Sequence, residues 1–327
     1  MLILNEKDMR SAVSLTQVMD QVEEAYRIFA SGDFYMPDRP SVTHGDNTLL
    51  FMPCFLKDGF GTKFLTLFPN NPKKGLKYID GLMLLNDGET GKTLSIMDGS
   101  YLTSLRTGAV GGVGIRCFTA EASQSLGAIG IGTQAFYQIL YGVEARELKD
   151  VYLFNHSPKD FDTYIADLKA ALGSDREHPN FHVCDSAEDL VRHSEIVITT
   201  TTSAQPVVPN DPDLLRGKHF IGIGSYKPEM RELPDAIWQL VDHVYTEMPF
   251  ACEESGDLSQ PLSKGLLTLD QVKFLGDLLT ENHRPKPPEK GETTFFKSVG
   301  MGLLDLKVAQ LIYAEAVRKG LGQQVVF

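Results

Sequence analysis

Hydrophobic and polar positions divide the chain into two regions with different patterns. In residues 1–117, Val18, Val22, Tyr26 and Phe29 recur at helical spacing and predict a helix that ends near Gly32. Short apolar runs follow, among them 48–52 and 63–68, and Pro, Gly, Asn and Asp recur between them. Such runs are typical of strands joined by turns, so this region is predicted to be α+β with antiparallel strands.

From residue 118 to residue 299, strand-like and helix-like segments alternate, which favours a parallel sheet with helices on both faces. Ser186 and Asp189 predict a helix start, because a hydroxyl cap and an acidic residue satisfy free amide groups. The predicted fold class is α/β, a doubly wound parallel sheet of the Rossmann type beside the α+β region. The predicted strands lie at 126–131, 151–154, 181–183, 196–198, 220–223 and 244–245.

The last predicted element is an amphipathic helix with apolar positions from Leu303 to Ala316 and its end at Gly320. We expect this helix to return to the first region and to make that region discontinuous. The predicted domains are therefore residues 1–117 with 300–327, and residues 118–299.

Composition excludes several classes of protein. With 327 residues, of which 42% are hydrophobic and 23% charged, the chain can bury a large core. No apolar run approaches the ~20 residues of a membrane span, and the first residues lack the features of a secretory signal, so we expect a cytosolic protein without membrane contact. A formal charge of −12 argues against nucleic-acid binding. Four scattered cysteines predict reduced thiols and no metal site.

A glycine motif carries the first candidate chemistry. The apolar run that ends at Ile129 leads into Gly130-x-Gly132-x-x-Ala135, followed by a helical pattern. The glycines allow a tight turn and close approach of the backbone to a pyrophosphate, and Ala135 allows close packing of helix and strand. Thr133 and Gln134 fall on the same turn. We expect a dinucleotide here, with a glycine-rich turn of no ligand role as the alternative.

The end of the next strand bears on the choice of nucleotide. NAD-binding proteins place a carboxylate there to hold the ribose 2′-hydroxyl, but this chain has Asn155, His156 and Lys159 and no carboxylate. These side chains could accommodate a 2′-phosphate, so NADP(H) is favoured over NAD(H). A polar solvated loop is the alternative.

Several segments in order along the chain resemble the ornithine cyclodeaminase/mu-crystallin family. The resemblance implies an N-terminal substrate-binding domain that dimerises with its twin, a Rossmann domain, and an active site in the cleft that they form. It also implies hydride exchange between a nicotinamide and the carbon that bears nitrogen in an imino or amino acid. The segments are 98–109, 130–135, 222–234, 254–258 and 296–300.

Members of the family bind the substrate carboxylate at positions that Arg39, Lys63 and Arg106 match. The resemblance makes Lys63 and Arg106 the candidate catalytic residues. Guanidinium groups fix a carboxylate plane well. Lys63 lies in an apolar run where an unpaired ammonium would be costly to bury, so it needs a partner. For Arg39 a surface ion pair is the alternative, and for Arg106 a helix-start or interface role.

Further cofactor contacts are expected on the Rossmann side. Thr200 and Thr201 follow the fourth strand at the carboxyl edge of the sheet, where open α/β folds bind ligands, although β-propensity and turn chemistry explain them equally well. Glu254 and Asp257 belong to a family segment and are expected to shape a loop. The other cofactor-site residues are Gly224, Ser225 and Tyr226 after the fifth strand, and Ser298, which resembles the family's contact near the nicotinamide.

One departure from the family pattern separates its activities. Cyclodeaminases carry an aspartate in the loop after the fifth strand, whereas this chain has Gly224-Ser225-Tyr226-Lys227-Pro228. Reduction of a preformed cyclic imine needs fewer catalytic groups than ornithine cyclisation, because an iminium is already electrophilic. We therefore predict NAD(P)H-dependent reduction of pyrroline-2-carboxylate or piperideine-2-carboxylate to proline or pipecolate. The alternatives are an ornithine cyclodeaminase, an alanine-type amino-acid dehydrogenase and a non-enzymatic binding protein.

Overall fold

The computed structural model describes residues 1–174, 177–279, 283–289 and 291–326. Its strands are β1 (Leu2–Leu4), β2 (Ser41–His44), β3 (Asn47–Leu56), β4 (Gly59–Leu67), β5 (Ile79–Asp87), β6 (Thr93–Asp98), β7 (Ser125–Ile129), β8 (Asp150–Phe154), β9 (Asn180–Val183), β10 (Ile196–Thr199), β11 (His219–Gly222), β12 (Val244–Thr246), β13 (Val272–Phe274), β14 (Thr294–Lys297) and β15 (Gln323–Gln324).

Its α-helices are α1 (Glu6–Ala12), α2 (Leu15–Ser31), α3 (Gly99–Phe118), α4 (Thr133–Ala145), α5 (Phe161–Leu172), α6 (Ala187–His193), α7 (Pro212–Leu215), α8 (Ala251–Glu254), α9 (Gly256–Ser263), α10 (Leu275–Leu278) and α11 (Gly302–Lys319). Short 3-10 helices cover Asn71–Lys74, Asp235–Gln239 and Leu269–Gln271.

The chain divides into two compact units. Unit 1 comprises Met1–Arg106 and Gly300–Phe327, and unit 2 comprises Thr107–Val299. The division falls inside helix α3, and the boundary predicted after residue 117 lies near the end of the same helix. Each unit has its own sheet.

Unit 1 is built on a seven-stranded sheet of order β15-β1-β6-β5-β4-β3-β2. Strands β2 to β6 pair antiparallel, as the sequence pattern predicts, whereas β1 pairs parallel with β6. Helix α2 begins at a Ser14–Gln17 capping box and ends at Gly32, with Val18, Val22 and Tyr26 buried. The predicted C-terminal helix is α11, which ends at Gly320 and packs against α2 and strands β3 to β5.

One face of this sheet carries partly exposed apolar side chains, and we call it the outer face. It is formed by Phe51 and Phe55 of β3, Phe60 and Phe64 of β4, and Leu82 of β5, which are cross-strand neighbours. The exposed fractions of Phe55 and Leu82 are 40% and 47%. A face of this kind is typical of an interaction surface.

Unit 2 contains an eight-stranded parallel sheet of order β13-β12-β14-β11-β10-β7-β8-β9. From β9 to β11 this is the doubly wound order of a Rossmann sheet, which confirms the predicted fold class. The sequence pattern did not predict strands β13 and β14, although β14 lies between β11 and β12. Ser186 caps helix α6 by accepting a hydrogen bond from the Asp189 amide, as predicted.

The described residues form neither a membrane-spanning helix nor a cluster of metal-ligating side chains. No helix among them has the length and apolar character that crossing a bilayer requires. Within the same residues, no group of three or more His, Cys, Asp or Glu side chains could hold a metal ion. The four cysteines are buried and free.

Candidate functional site

The glycine turn lies between β7 and α4 and leaves the start of the helix open. Gly130 has φ +91°, and a Cβ there would come within 2.6 Å of the Thr201 Cγ2 atom. At Gly132 a Cβ would meet nothing within 4 Å. Gly132 is the N-cap of α4 and no side chain caps the helix, so the first amide groups remain available to an anion.

The residues after Gly132 differ in their surroundings. Thr133 is exposed, and Ala135 is buried where the helix packs on the sheet. The Gln134 Oε1 atom is buried and has no hydrogen-bond partner in the described part of the chain. A buried acceptor without a donor beside an uncapped helix start is a feature that a bound ligand can satisfy.

Asn155, at the end of β8, shapes the same turn. Its Oδ1 atom accepts a hydrogen bond from the Ile131 amide at 2.8 Å, and its Nδ2 atom donates to the Ser157 carbonyl at 2.7 Å. His156 and Lys159 are exposed. Asn155 is therefore bound to the protein's own backbone, whereas His156 and Lys159 are open to solvent.

Thr200 and Thr201 connect this turn to the next loop of the sheet. The Thr200 hydroxyl donates to the Gly130 carbonyl at 2.6 Å. The Thr201 amide donates to Glu232 Oε1 at 2.6 Å. Both threonines are held by the protein at the carboxyl edge of the sheet, where cofactor contact was predicted.

Glu232 accepts hydrogen bonds from two neighbouring loops. Besides Thr201, the amides of Gly224 and Ser225 donate to its Oε2 atom at 2.8 and 3.1 Å. The Asp257 Oδ1 atom in turn accepts from the Glu232 and Leu233 amides at 2.7 and 2.9 Å. Asp257 thus shapes a loop, as expected, and it does so through Glu232.

Glu232, Asp257 and Lys297 form a group that we call the anionic cluster, and all three are fully buried. Lys297 Nζ lies 3.5 Å from Asp257 Oδ2, and neither atom has a hydrogen-bond partner among the described residues. Burial raises the pKa of Glu232, the Asp257 carboxylate adds to that effect, and the Lys297 ammonium opposes it.

Two more of the predicted cofactor residues have partners within unit 2. The Ser298 hydroxyl donates to Glu247 Oε1 at 2.7 Å, and the Val299 amide donates to Glu247 Oε2 at 2.9 Å. The Lys227 Nζ atom lies 5.9 Å from the centroid of the Tyr226 ring. Glu247 therefore orients the Ser298 hydroxyl, a contact that the sequence pattern did not indicate.

Unit 1 holds a second buried group, the cationic cluster of Lys63, Arg106 and Asp305. Lys63 Nζ donates to both carboxylate oxygens of Asp305 at 2.9 Å, and Arg106 Nε donates to Asp305 Oδ1 at 3.0 Å. The side chains of Lys63 and Asp305 are each 1% exposed. Two cations share one carboxylate, so the cluster keeps one positive charge in excess.

The elements of unit 1 place these side chains by simple rules. Inward and outward positions alternate along β4, and Lys63 takes an inward position between the cross-strand neighbours Met52 and Met83. Asp305 lies in the first turn of α11, where a carboxylate also favours the helix N-terminus.

Gly300 contacts two arginines of unit 1, Arg39 and Arg106. Arg39 Nη2 donates to the Gly300 carbonyl at 2.6 Å. Gly300 has φ +77°, and a Cβ there would collide with Arg106 Nη1. Glycine at this position both adopts the left-handed backbone and leaves room for the guanidinium group.

Electrostatics in the cationic cluster follow from burial and charge. Burial lowers the pKa of Lys63 to about 8, the Arg106 and Arg39 cations also lower it, and Asp305 raises it. For Asp305, burial favours the neutral acid, but Arg106 and Lys63 prevail and lower its pKa below the usual value. The pKa of the nearby Cys54 thiol rises to about 12 through burial and the Asp305 charge. At neutral pH the ionised ammonium therefore predominates, though less completely than in water.

Asp305, Glu232 and Lys297 were not among the residues predicted from the sequence, although a signal for Asp305 and for Lys297 is visible there. Asp305 interrupts the apolar positions of α11 between Leu304 and Leu306, and Lys297 directly follows the apolar pair Phe295–Phe296. A charge inside an apolar run predicts a buried partner of opposite sign.

The parallel sheet and glycine turn of unit 2, together with the α+β architecture of unit 1, define a two-domain protein of the Rossmann type. The sequence profile of the ornithine cyclodeaminase/mu-crystallin family matches residues 1–320. The chain belongs to this family.

Individual relatives match over the whole chain. A Δ1-pyrroline-2-carboxylate reductase of Bacillus cereus is 31% identical, with 100% of both chains covered. The solved structure of Thermococcus litoralis Δ1-pyrroline-2-carboxylate reductase in complex with NADH and L-proline is similar with a TM-score of 0.88, 28% identity and coverage of 99% of this chain and 100% of that one. An archaeal alanine dehydrogenase dimer with bound NAD has a TM-score of 0.87 and 29% identity, over 100% and 99% of the chains.

Proposed function

We propose that this protein is an NAD(P)H-dependent oxidoreductase that reduces a cyclic ketimine acid, pyrroline-2-carboxylate or piperideine-2-carboxylate, to proline or pipecolate. The observation that carries the proposal is the buried cationic cluster, because its excess positive charge suits a small substrate carboxylate. Relatives named as pyrroline-2-carboxylate reductases match the chain from end to end, which supports the same reaction class.

Lys63 and Arg106 hold the substrate carboxylate, and Arg39 assists them. Asp305 accepts hydrogen bonds from Lys63 Nζ and Arg106 Nε. The Arg106 Nη atoms and the one net positive charge of the cluster then bind the substrate anion. A fixed carboxylate orients the adjoining C=N carbon, and such positioning accounts for much of the rate in reactions of this kind.

The cofactor site consists of the glycine turn, the uncapped start of α4 and the loops after β10, β11 and β14. The open space at Gly132 and the buried Gln134 acceptor support a bound dinucleotide. When bound, the reduced nicotinamide supplies the hydride for the C=N carbon. The nicotinamide half of the cofactor is proposed to contact the residues at the carboxyl edge of the sheet, which are Thr200, Thr201, Gly224, Ser225, Tyr226 and Ser298.

Lys63 also provides a proton for the ring nitrogen. Its pKa of about 8 leaves it ionised at neutral pH and able to release a proton near that value. Asp305 steadies the ammonium by two hydrogen bonds and retains its own negative charge.

The loop after β11 supports reduction over ornithine cyclisation. No carboxylate occurs from Gly224 to Pro228. The Ser225 hydroxyl donates to the Met230 carbonyl at 2.7 Å and is hydrogen-bonded to the Ser255 hydroxyl at 2.8 Å. A hydroxyl held in this way offers no carboxylate to steer a second amine.

For the cofactor we propose a preference for NADPH over NADH. The exposed His156 and Lys159 support it, because Lys159 offers positive charge and His156 a hydrogen bond where a 2′-phosphate would lie, and no carboxylate stands between Phe154 and Lys159. The change Lys159→Glu is expected to lower the ratio of kcat/KM for NADPH to that for NADH about tenfold. Lys149→Glu, before the amino end of β8, is the matched control, and an unchanged ratio in Lys159→Glu would reject this assignment.

We further propose that the outer face of unit 1 pairs with a second copy of the chain. The exposed apolar side chains Phe55 and Leu82 support this, as does the dimer of the archaeal relative. Light scattering after size exclusion should show a dimer for the natural chain and a monomer for Leu82→Lys. Leu269→Lys, at another exposed leucine, should stay dimeric. A natural chain that runs as a monomer would contradict the proposal.

A spectrophotometric assay tests the proposed reaction. NADH and NADPH oxidation is followed with pyrroline-2-carboxylate, with piperideine-2-carboxylate and with pyruvate plus ammonia, beside ornithine with NAD⁺. Stoichiometric oxidation with a cyclic imine is expected. Ammonia release from ornithine would indicate a cyclodeaminase, and activity with pyruvate plus ammonia alone would indicate an amino-acid dehydrogenase. Tight ligand binding without oxidation would indicate a binding protein.

A further inference from the structure

The anionic cluster lies under the loops that the proposed cofactor site uses, but its carboxylates are turned toward the protein. Glu232 is fully buried, and its two oxygens accept three backbone hydrogen bonds from residues after β10 and β11. An ionised carboxylate is an acceptor only and suits three amide donors. Glu232 therefore connects two loops and has no role in the proposed chemistry.

The connection extends to the glycine turn. The Gly130 carbonyl accepts from the Thr200 hydroxyl, the next amide along the chain binds Glu232, and Glu232 binds the amides of Gly224 and Ser225. A continuous series of hydrogen bonds thus joins the carboxyl ends of β7, β10 and β11. These strands are adjacent in the sheet, and the strand order reverses between β7 and β10.

The loops approach each other closely at this point. A Cβ on Gly224 would collide with the Thr201 backbone, and it would come within 2.6 Å of Glu232 Oε1. Without the carboxylate, the amides of three residues would be left buried without a partner, which the backbone avoids by moving. The spacing of the two loops therefore depends on Glu232.

We infer that Glu232 is a positioning residue that sets the distance between the glycine turn and the loops after β10 and β11, and so adjusts the nicotinamide half of the cofactor site. The adenosine half of a dinucleotide lies toward the end of β8, and the pyrophosphate lies at the turn. The remaining half extends toward β10 and β11, the loops that Glu232 joins. This inference rests on the proposed use of NADH or NADPH.

Asp257 and Lys297 give Glu232 its fixed place. Asp257 binds the Glu232 amide, and Lys297 lies 3.5 Å from Asp257 on the other side. These hydrogen bonds and ion pairs include no residue of the cationic cluster. The three charges act on the backbone of the loops, which explains why a nucleotide-binding unit keeps them fully buried.

The experiment compares binding of a whole dinucleotide with binding of its fragment. Dissociation constants are measured by calorimetry for NADH and ADP-ribose, or for NADPH and 2′-phospho-ADP-ribose if the natural chain prefers NADPH. For Glu232→Gln, which puts an amide donor against backbone donors, we expect dinucleotide binding to weaken about tenfold or more. Fragment binding should change less than about twofold, because the fragment lacks the nicotinamide ring that the loops after β10 and β11 are proposed to position.

Glu195→Gln is the matched control. Glu195 also accepts backbone hydrogen bonds, from the Gln124 and Ser125 amides, but at the amino end of β7. This variant should bind dinucleotide and fragment like the natural chain. A general effect of losing an amide-bound carboxylate would weaken binding in both variants, which would overturn the inference.

Further outcomes of the same binding experiment also test the inference. Unchanged dinucleotide binding by folded Glu232→Gln, or an equal loss for dinucleotide and fragment, would overturn the inference and leave the proposed function standing. If the natural chain bound no dinucleotide and no fragment, the proposed function would fall and the inference with it. If Glu232→Gln fails to fold, Glu232→Asp decides, because it keeps the charge but is one methylene too short to reach both loops. It should show the same selective loss, and equal losses would again overturn the inference.

Discussion

Each unit contains a cluster of three buried charged side chains, and the two clusters differ in the sign of their excess charge. The cationic cluster has two cations and one carboxylate, and the anionic cluster has two carboxylates and one cation. In the anionic cluster the excess charge is met by backbone amides, five of which donate to Glu232 and Asp257. In the cationic cluster the excess belongs to Lys63 and Arg106.

The comparison separates a structural role from a ligand-binding role. A buried charge that amides neutralise fixes backbone, whereas a buried charge in excess beside one shared carboxylate suits a charged ligand. Changes in the two clusters should therefore differ in kind. Those in the cationic cluster should lower activity, and those in the anionic cluster should lower stability or move the loops.

The largest effect is expected for Lys63→Met. The remaining pair of Arg106 and Asp305 is neutral, so the excess charge disappears, and kcat/KM for the cyclic imine should fall by about three orders of magnitude or more. Dinucleotide binding, measured by NAD(P)H fluorescence, should stay close to that of the natural chain. Lys57→Met, at an exposed lysine between β3 and β4, is the control and should remain active. Loss of turnover and of nucleotide binding together would show that Lys63 is structural.

Lys297→Met should have the largest effect on stability. It leaves two fully buried carboxylates without their cation, and removal of one partner of a buried ion pair costs about 3–5 kcal/mol. Thermal and urea unfolding should show a clear decrease for Lys297→Met and a smaller one for Lys63→Met, in which a one-to-one ion pair survives. Equal decreases would mean that the sign of the excess charge does not matter.

Asp305→Asn should move the pH dependence of the reaction. Asp305 raises the pKa of Lys63, so without it the pKa falls below about 8, and the ammonium is lost at lower pH. The decline of kcat/KM with rising pH should shift downward by about 1–3 pH units, the size of an adjacent opposite charge.

The substrate's own titration cancels in that experiment, because both proteins receive the same imine. Asp58→Asn, at an exposed carboxylate that binds Gln310, is the control and should keep the profile of the natural chain. An unshifted profile in Asp305→Asn would argue against Lys63 as the group that titrates.

The smallest effect is expected for Ser298→Ala. The variant removes the hydroxyl that donates to Glu247, so KM for the cofactor should rise about fivefold with a smaller change in kcat. Ser263→Ala, whose hydroxyl donates to a helix carbonyl, is the control. A change in kcat alone would indicate that Ser298 acts on the reacting atoms.

Local patterns predicted much of the fold. Periodicity located α2 and α11, turn residues delimited the antiparallel strands of unit 1, and the cap at Ser186 marked α6. Strand β14 was missed because Thr294–Lys297 is short and carries a lysine, and its place between β11 and β12 depends on pairings that are distant in sequence. The family resemblance predicted the same class of fold, and the family profile matches residues 1–320.

The candidate site was predicted in part. Lysine in an apolar run requires a partner, and that rule indicated that Lys63 was special, but it could not indicate Asp305, which is 242 positions away in the chain. Glu232 and Glu247 were missed for a different reason. The partners of Glu232 are backbone amides, which leave no pattern in the side-chain sequence, and Glu247 binds Ser298 and Val299, which are distant from it in the chain.

Gly300 has a consequence for how this chain tolerates changes of length. Its carbonyl binds Arg39 and its bare α-carbon admits Arg106, while Ser298, two positions earlier, binds Glu247. One residue inserted between Gly300 and helix α11 would change no existing side chain, yet it would put a Cβ against the Arg106 guanidinium. The spacing from Gly300 to Asp305 is therefore as constrained as the residue types themselves.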